Sequence, residues 1–534
     1  MTNLWLNFKT NLNLKGLALT LLIGVSSCVS QNSQLNNAQE TVAQNLSQSS
    51  ALTTTASLSE FGRSLSADFL CYNANVLLFD SWTEPALVKA VKQLKPRVLR
   101  FPGGTVSDFW DWQRGGIMED LSEVNPRQLP GILRNQRVRQ YTASKLEDFK
   151  AGLTATQTKP LFVLNILTSD LNSQLAMLRK ARDLGIPVEY VQIGNEAYFN
   201  LPDNLERFPT PDDYAKFASQ WSDAIKKEFP KAKVAVIGAS QTYIERGNER
   251  IRFWNDSVLK TALPKSDAIA FHLYYDTNII PPSSSATSYP FFTQEDVPII
   301  LNLPFLNWRK MRENQQFKAV PDQKEIWITE YNVMEPLQGQ GSSGPKIIGS
   351  WAHGLQNIAL SLLFLEDKRI NRICNHVLVG TSQFGAILAD EKQIGIGTFI
   401  NPSEKVKAEP FSLSASGSAL KLLGEATENM TQAKQINFSS NPMVTGKNQA
   451  QYPSLSGWLF SNGEENRAVI LNLSSEVVQV NFDSIFPKSV DYEQVSGNPR
   501  DLVSKSGILT ESQGTTSKKI QLPAYSVTKL SSLK

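Results

Sequence analysis

The chain has 534 residues, of which 41% are hydrophobic and 19% are charged. This composition is typical of a folded globular protein and excludes global disorder. Its 53 basic and 50 acidic residues leave a formal net charge of only +3, without the basic excess of a nucleic-acid-binding protein, so we expect no nucleic-acid partner. Three cysteines and three widely spaced histidines do not have the spacing of a zinc site, so we expect no dedicated zinc site.

The N-terminus has the pattern of an export signal. Residues 16–25 form an apolar run of ten, which is too short for a bilayer that needs about 20 residues but suits the core of a signal peptide. The motif Val25-Ser26-Ser27-Cys28 follows and resembles the bacterial lipobox. We therefore predict a lipoprotein-type signal at 1–27 and lipidation at Cys28, with an ordinary secretory signal as the alternative.

The segment after this signal, residues 28–57, is rich in Gln, Asn, Ser and Thr. Such a composition predicts a flexible tether. We expect the protein to work outside the cytoplasm, facing the periplasm or the exterior, and to contact a membrane by its lipid anchor only.

From residue 58 the chain alternates short apolar runs with longer amphipathic ones. Eight β-then-α units predict a (β/α)8 barrel over 58–428. A doubly wound open sheet is the alternative, although no GxGxxG follows the first strand. Short strands with polar turns predict an all-β sandwich domain over 429–534. The predicted barrel strands are Phe69–Phe79, Val98–Phe101, Leu161–Leu167, Tyr190–Ile193, Val234–Ile237, Ala268–Tyr275, Ile326–Thr329 and Ile373–Val379.

Two glutamates come at the ends of predicted barrel strands. The fourth strand runs into Gly194-Asn195-Glu196, and the seventh runs into Thr329-Glu330-Tyr331-Asn332. Barrel active sites lie at the C-terminal ends of the strands, so two carboxyls from strands three apart would face each other across the mouth. Each glutamate alone could start a helix or form a salt bridge. Glycoside hydrolases use such a facing pair, in which one carboxyl protonates the leaving oxygen and the other attacks or activates water.

These motifs resemble those of the clan A retaining glycoside hydrolases. Two further segments strengthen the resemblance, Leu99-Arg100-Phe101-Pro102-Gly103-Gly104-Thr105 on strand two and Ala270-Phe271-His272-Leu273-Tyr274 on strand six. Both are similar to segments of the family 51 α-L-arabinofuranosidases and of family 79, the heparanase and β-glucuronidase family. The Gly-Gly-Thr run with Asp108 is more like family 79, whereas Phe101-Pro102 and Trp112 are more like family 51.

The resemblance implies Glu196 as the acid/base, which must hold a proton near neutral pH, and Glu330 as the ionised nucleophile. Asn195 is expected to contact a sugar 2-hydroxyl. Arg100 would hold a catalytic carboxylate or merely close a structural ion pair. His272 and Tyr274 share a face of their strand, and the resemblance implies that they support the nucleophile. The alternative for His272 is a hydrogen-bonded histidine of the core, with no role at the site.

Four more side chains are candidates for substrate binding. Trp110 and Trp112 lie beyond strand two and could stack on sugar rings or simply pack their loop. Asp108 follows the Gly-Gly-Thr run and Tyr331 belongs to the strand-seven motif, and we expect both to bind substrate.

The expected function is that of an exported retaining glycoside hydrolase acting on an oligosaccharide, a polysaccharide or a glycoconjugate. The alternative is a non-catalytic carbohydrate-binding lipoprotein that keeps the barrel. The presence of both carboxyls favours the enzyme. Because two carboxyls suffice for this reaction, we expect no metal and no organic cofactor.

Two cysteines lie on strands that meet when the barrel closes, Cys71 on the first and Cys374 on the eighth. A disulfide is therefore possible in an oxidising compartment. We nevertheless expect two buried free thiols, because neighbouring barrel strands seldom hold their Cβ atoms in bridging geometry.

Overall fold

The computed structural model describes most of the chain from residue 52 onwards. The predicted signal, Cys28 and all residues up to 51 lie outside the described part. Among the described residues, no helix is long and apolar enough to cross a membrane. The described residues are 52–74, 81–118, 120, 122, 124, 145–276, 291–334, 347–380, 384–389, 408–446 and 451–533.

Eight parallel strands form a closed barrel, which confirms the predicted fold. Each strand pairs with the next one along the chain, and the eighth pairs with the first. In chain order the barrel strands are Leu70–Asn73, Val98–Phe101, Lys159–Val163, Tyr190–Gln192, Lys233–Ile237, Ala268–Asp276, Glu325–Met334 and Ile370–Asn375.

Amphipathic helices surround the barrel. The helix Pro211–Glu228 shows why they form: the Thr210 side chain accepts a hydrogen bond from the Asp213 N–H, and Pro211 takes the first helical position. One face of this helix is buried, including Tyr214, Trp221 and Ile225. The other helices are Pro85–Leu94, Leu146–Thr156, Leu171–Asp183, Pro202–Arg207, Gln241–Arg246, Glu249–Arg252, Trp254–Ser257, Val297–Glu313, Gln315–Lys318, Trp351–Leu363 and Ala415–Thr427.

The C-terminal β-domain contains one strand from the N-terminal side of the barrel. Leu52–Ser64 pairs antiparallel with Gln432–Phe438 and parallel with Val478–Asn481, so it joins two layers that share one apolar core. The predicted tether therefore extends too far, because residues 52–57 lie in a strand. The remaining strands of this sheet are Leu455–Ser461, Asn466–Asn472, Val490–Ser496, Thr510–Thr516, Lys519–Leu522 and Ser526–Ser532.

Cys71 and Cys374 form a disulfide, so the expectation of two free thiols is wrong. The strand register explains the bond, because these residues are direct partners in the pairing of the first and eighth strands. Their Cα atoms are 4.1 Å apart, and both side chains are buried among apolar residues of the barrel interior. The disulfide thus links the first and the last strand of the closed barrel.

Candidate active site

A bulge in the seventh barrel strand places Glu330 inside the mouth of the barrel. Pairing with the sixth strand runs in register up to Ile328, skips Thr329, and resumes with Glu330 opposite His272. The extra residue re-aims the side chains that follow, as bulges near active sites commonly do. Glu330 therefore lies within the strand, beside the two sixth-strand residues that the sequence predicted as its support, His272 and Tyr274.

Arg100 holds Glu330 through a buried hydrogen-bond network. Its Nη1 atom donates to Glu330 Oε1 at 2.6 Å and to Asn73 Oδ1 at 2.5 Å. Its Nε donates to Gln192 Oε1 at 3.2 Å, and its Nη2 donates to Asn195 Oδ1 at 2.8 Å. Arg100 is fully buried. Arg100 therefore forms a buried ion pair with the glutamate that the sequence predicts as the nucleophile.

The surroundings of Glu330 stabilise its ionised form. Burial acts to raise its pKa, but His272, His376, Arg100 and the hydroxyl of Tyr274 together outweigh burial and hold the pKa well below its usual range. Tyr274 donates to Oε2 at 2.6 Å, and burial, with Glu330 nearby, raises the pKa of Tyr274 so that it keeps its proton. Glu330 is thus a carboxylate at neutral pH.

Glu196 follows the fourth strand in a backbone turn that uses Gly194. Gly194 has a φ of +84°, and a Cβ there would lie 2.2 Å from Ile166 Cδ1. Glu196 itself has a φ of +41°, in a region that non-glycine residues rarely occupy. Its Oε1 atom accepts from Tyr198 at 3.0 Å and lies 2.9 Å from His272 Nδ1. Both contacts reach the same oxygen, which leaves Oε2 for a proton or a ligand.

The two carboxyls are close together but differ in exposure. One oxygen of Glu196, one ring nitrogen of His272 and one oxygen of Glu330 all lie within 4.8 Å of one another. The Glu330 side chain is 6% exposed and the Glu196 side chain is 18% exposed. These three residues are of the types that ligate a cation, but Arg100 and Tyr274 already donate a hydrogen bond to each oxygen of Glu330. The arrangement is that of an inner carboxylate beside a more accessible carboxyl.

Two residues beyond the second strand shape the same space. Gly104 lies so close to the nucleophile candidate that a Cβ would be 2.6 Å from Glu330 Oε1. Asp108 is buried on a short 3-10 helix, Thr105–Phe109. Burial raises the pKa of Asp108, and the charges of Glu196 and Glu330 raise it further against the effect of Arg100. Asp108 therefore adds a third carboxyl that favours its neutral form.

Three predicted substrate contacts lie elsewhere or are covered. Tyr331 is wrong as a site residue, because its hydroxyl pairs with Ser361 at 2.7 Å on a surrounding helix. Trp110 is 4% exposed, and its ring and that of Phe101 meet edge to face with centroids 5.9 Å apart, so almost none of Trp110 is open to a sugar. Trp112 is half-buried and donates to Ser173. For both tryptophans the loop-packing alternative describes the contacts observed.

Four residues of the site were missed by the sequence reasoning. Asn73 and Gln192 end the first and fourth strands and accept from Arg100, and polar residues in buried strand ends were the available signal. Tyr198 lies two residues after Glu196 and donates to it. His376 follows the eighth strand, with Nδ1 at 3.6 Å from Glu330 Oε2.

Comparison with known proteins supports the family resemblance. No family model matches the chain. The probable α-L-arabinofuranosidase C of Aspergillus clavatus is 26% identical over 282 residues, covering 48% of this chain and 52% of that protein. The α-L-arabinofuranosidase C of Emericella nidulans is 23% identical over 320 residues, covering 54% and 58%. The chain thus spans about half the length of these curated relatives.

Solved structures share the fold over most of the chain. The α-L-arabinofuranosidase of Thermotoga maritima has a TM-score of 0.60 at 15% identity, and a family 51 α-L-arabinofuranosidase of Bifidobacterium longum has 0.64 at 14%, each covering 90% of this chain and 99% of the other. The chain resembles the clan A glycoside hydrolases, and family 51 in particular. A 4-O-α-L-rhamnosyl-β-D-glucuronidase of Fusarium oxysporum, with a TM-score of 0.55 at 12% identity, covers 90% of this chain and all of its own.

Proposed function

We propose that the protein is an exported retaining glycoside hydrolase that uses Glu330 as the nucleophile and Glu196 as the acid/base. The observation that carries the proposal is the carboxyl pair, with one oxygen of each within 4.8 Å and with different surroundings. Retaining enzymes hold their carboxyls about 5–5.5 Å apart, whereas inverting enzymes leave about 6.5–9.5 Å for a water molecule. The short spacing supports direct attack by a carboxylate.

In the first step, Glu330 attacks the anomeric carbon while Glu196 protonates the departing oxygen. Arg100 and Tyr274 hold the two oxygens of Glu330, which keeps the carboxylate ionised and oriented for attack. Tyr198 and His272 contact Oε1 of Glu196, so the transferable proton is placed on Oε2. The greater exposure of Glu196 suits a group that must reach the leaving group.

In the second step, Glu196 as a carboxylate removes a proton from water, which attacks the glycosyl–Glu330 ester. The anomeric configuration is inverted twice and is retained overall. Asn195 has its carbonyl oxygen bound to Arg100, so its NH2 group is directed away from the guanidinium and is free to donate to a sugar hydroxyl.

The first substrate class to test is the α-L-arabinofuranosides, because the matched relatives carry that activity in their names. The site also argues for a neutral sugar. Arg100 is fully buried and donates to four protein oxygens, so it is not free to bind a substrate carboxylate. The Glu330 carboxylate, whose pKa is held well below its usual range, would in addition repel the carboxylate of a uronate. Glucuronides are therefore the contrasting substrate.

The test is release of nitrophenol from a panel of aryl glycosides that includes the arabinofuranoside, xyloside, glucoside and glucuronide. We expect turnover of at least one of them, strongly reduced in Glu330→Gln and Glu196→Gln. Matched controls are Glu325→Gln at the opposite end of strand seven and Glu189→Gln just before strand four, which should retain turnover. Binding of an oligosaccharide without hydrolysis of any substrate would favour the non-catalytic alternative.

Export and lipid anchoring belong to the same proposal and rest on residues 1–28. The disulfide between Cys71 and Cys374 is in keeping with an oxidising compartment. Cys28→Ser should move the protein from the membrane fraction to the soluble exported fraction. A wild-type protein that is wholly soluble, and that starts at a residue other than 28, would contradict the anchor.

A further inference from the structure

His376 lies against the proposed nucleophile, and neither the sequence motifs nor the two-carboxyl mechanism gives it a role. It follows the eighth strand, and its Nδ1 atom is 3.6 Å from Glu330 Oε2. Its ring meets the rings of Tyr274 and Phe384 edge to face, with centroids 6.0 and 5.9 Å apart. The amide of Asn332 donates to its backbone carbonyl. These contacts fix the position of the imidazole.

The two nitrogens of this imidazole are in different surroundings. Nδ1 is buried and has no hydrogen-bond partner among the described residues, yet 21% of the side chain is exposed. The exposed surface therefore belongs to the other atoms of the side chain, of which Nε2 is the polar one. A histidine with a purely structural role would be expected to have a hydrogen-bond partner for its buried nitrogen. If the ring served only for packing, phenylalanine would fill the position without the free-energy cost of burying an unpaired nitrogen.

The protonation state follows from the neighbours of the ring. Burial, with Arg100 and His272, lowers the pKa of His376 against the opposing charges of Glu330 and Glu196. A neutral imidazole carries one hydrogen. Since an ionised Glu330 only accepts hydrogen bonds, the favoured tautomer has this hydrogen on Nδ1, facing the carboxylate. Nε2 is then a hydrogen-bond acceptor.

We propose that His376 is a substrate-binding residue, and that its Nε2 accepts a hydrogen bond from one hydroxyl of the sugar positioned for attack by Glu330. This inference rests on the proposed function. A reacting anomeric carbon must come within about 3–3.5 Å of the attacking oxygen, so the sugar ring lies beside the imidazole. Arg100 and Tyr274 are already bonded to Glu330, whereas the open part of His376 is available to a hydroxyl.

The experiment compares His376→Phe, which keeps a planar ring, with His376→Gln, which restores a polar group of similar reach, and with His376→Ala. Each is assayed on the aryl glycoside that the wild-type protein cleaves best and on its monodeoxy analogues, after thermal unfolding shows that the variant is folded. Phe384→Leu is the matched control, because it alters packing against His376 without removing the acceptor.

We expect His376→Phe and His376→Ala to lower kcat/KM about 10- to 100-fold on the parent glycoside, and His376→Gln to recover part of this loss. On the one analogue that lacks the contacted hydroxyl, wild type and variants should agree within about threefold, whereas Phe384→Leu should affect all substrates alike. An unchanged kcat/KM in His376→Phe, or the same loss on every analogue, would overturn the role of His376 and leave the proposed hydrolase intact. A wild type inactive on every glycoside would overturn the proposed function, and this inference with it.

Discussion

The guanidinium of Arg100 and the carboxylate of Glu330 form a buried ion pair, with Nη1 2.6 Å from Oε1. Three protein amides accept the other hydrogen bonds of Arg100, so the cation is fixed before a substrate arrives. A preorganised charge of this kind costs no reorganisation during the reaction. The ion pair therefore keeps Glu330 both ionised and fixed in orientation.

Replacing Arg100 by methionine should change the pH dependence as well as the rate. The pKa of Glu330 in the folded protein is depressed despite its burial. Ionised Glu330 therefore stabilises the folded protein at a pH above its pKa in the unfolded chain, and this stabilisation is lost as the pH falls through its pKa in the folded protein. Without the cation that pKa should rise, and the acidic limb of kcat/KM should move to higher pH. Breaking a buried pair typically costs about 3–5 kcal/mol.

The pH–rate profile and urea unfolding at pH 4 and pH 7 measure the two effects of Arg100→Met. The double variant Arg100→Met/Glu330→Gln is the control, and it should regain stability because no unpaired carboxylate is left in the interior. An acidic limb at the same pH in wild type and in Arg100→Met would contradict the role given to the cation.

Glu196→Gln should lose activity in a way that depends on the leaving group. Removal of a general acid typically costs about 10²- to 10⁴-fold. A dinitrophenyl glycoside needs no proton for departure, so it should still form the intermediate and release one equivalent of dinitrophenol rapidly. Stopped-flow absorbance measures this burst. Equal impairment on natural and dinitrophenyl glycosides would remove Glu196 from the acid/base role.

Gly104→Ala should impair catalysis without unfolding the protein. A Cβ at this position would lie 2.6 Å from Glu330 Oε1, so the carboxylate must shift. Because a displacement of about 1 Å can cost on the order of 100-fold in rate, we expect kcat to fall at least about tenfold. Gly62→Ala in the β-domain, where the nearest atom would be 3.3 Å away on the flexible Lys434 side chain, should leave kcat unchanged. Equal kcat values for both variants would argue against the close approach.

Loss of the disulfide should destabilise the barrel. The bond joins strands that are 303 residues apart in sequence, and removal of a native disulfide typically costs about 2–5 kcal/mol. We expect Cys71→Ala/Cys374→Ala to unfold at a lower urea concentration than wild type. Under denaturing, non-reducing conditions neither cysteine should titrate, and reductant should release two thiols. Two titratable thiols from Cys71 and Cys374 without reductant would contradict the bond.

The fold and the two central carboxyls could be predicted because the signals are local. Hydrophobic periodicity and turn residues locate the strands, and counting strands places Glu196 and Glu330 at one rim. Side-chain direction was less accessible, because a buried parallel strand is apolar on both faces and its alternation is masked. Nothing in the sequence marks the bulge at Thr329, which sends Tyr331 outward to Ser361.

Partners that come from distant strands were also out of reach. The network around Arg100 joins residues of strands one, two, four and seven, and its geometry depends on the register of the closed barrel. The same register places Cys71 directly opposite Cys374, which a general expectation about neighbouring strands did not anticipate.

The most direct test of Glu330 as the nucleophile is covalent trapping. A 2-fluoro glycoside of the sugar that the protein cleaves, with a good leaving group, should form a stable ester. Peptide mass mapping should then find one added fluoroglycosyl group on the peptide that contains Glu330, and proton NMR of the ordinary reaction should show retention in the first-formed product. The label on another residue, or a first product of the opposite anomeric configuration, would contradict the assignment of Glu330.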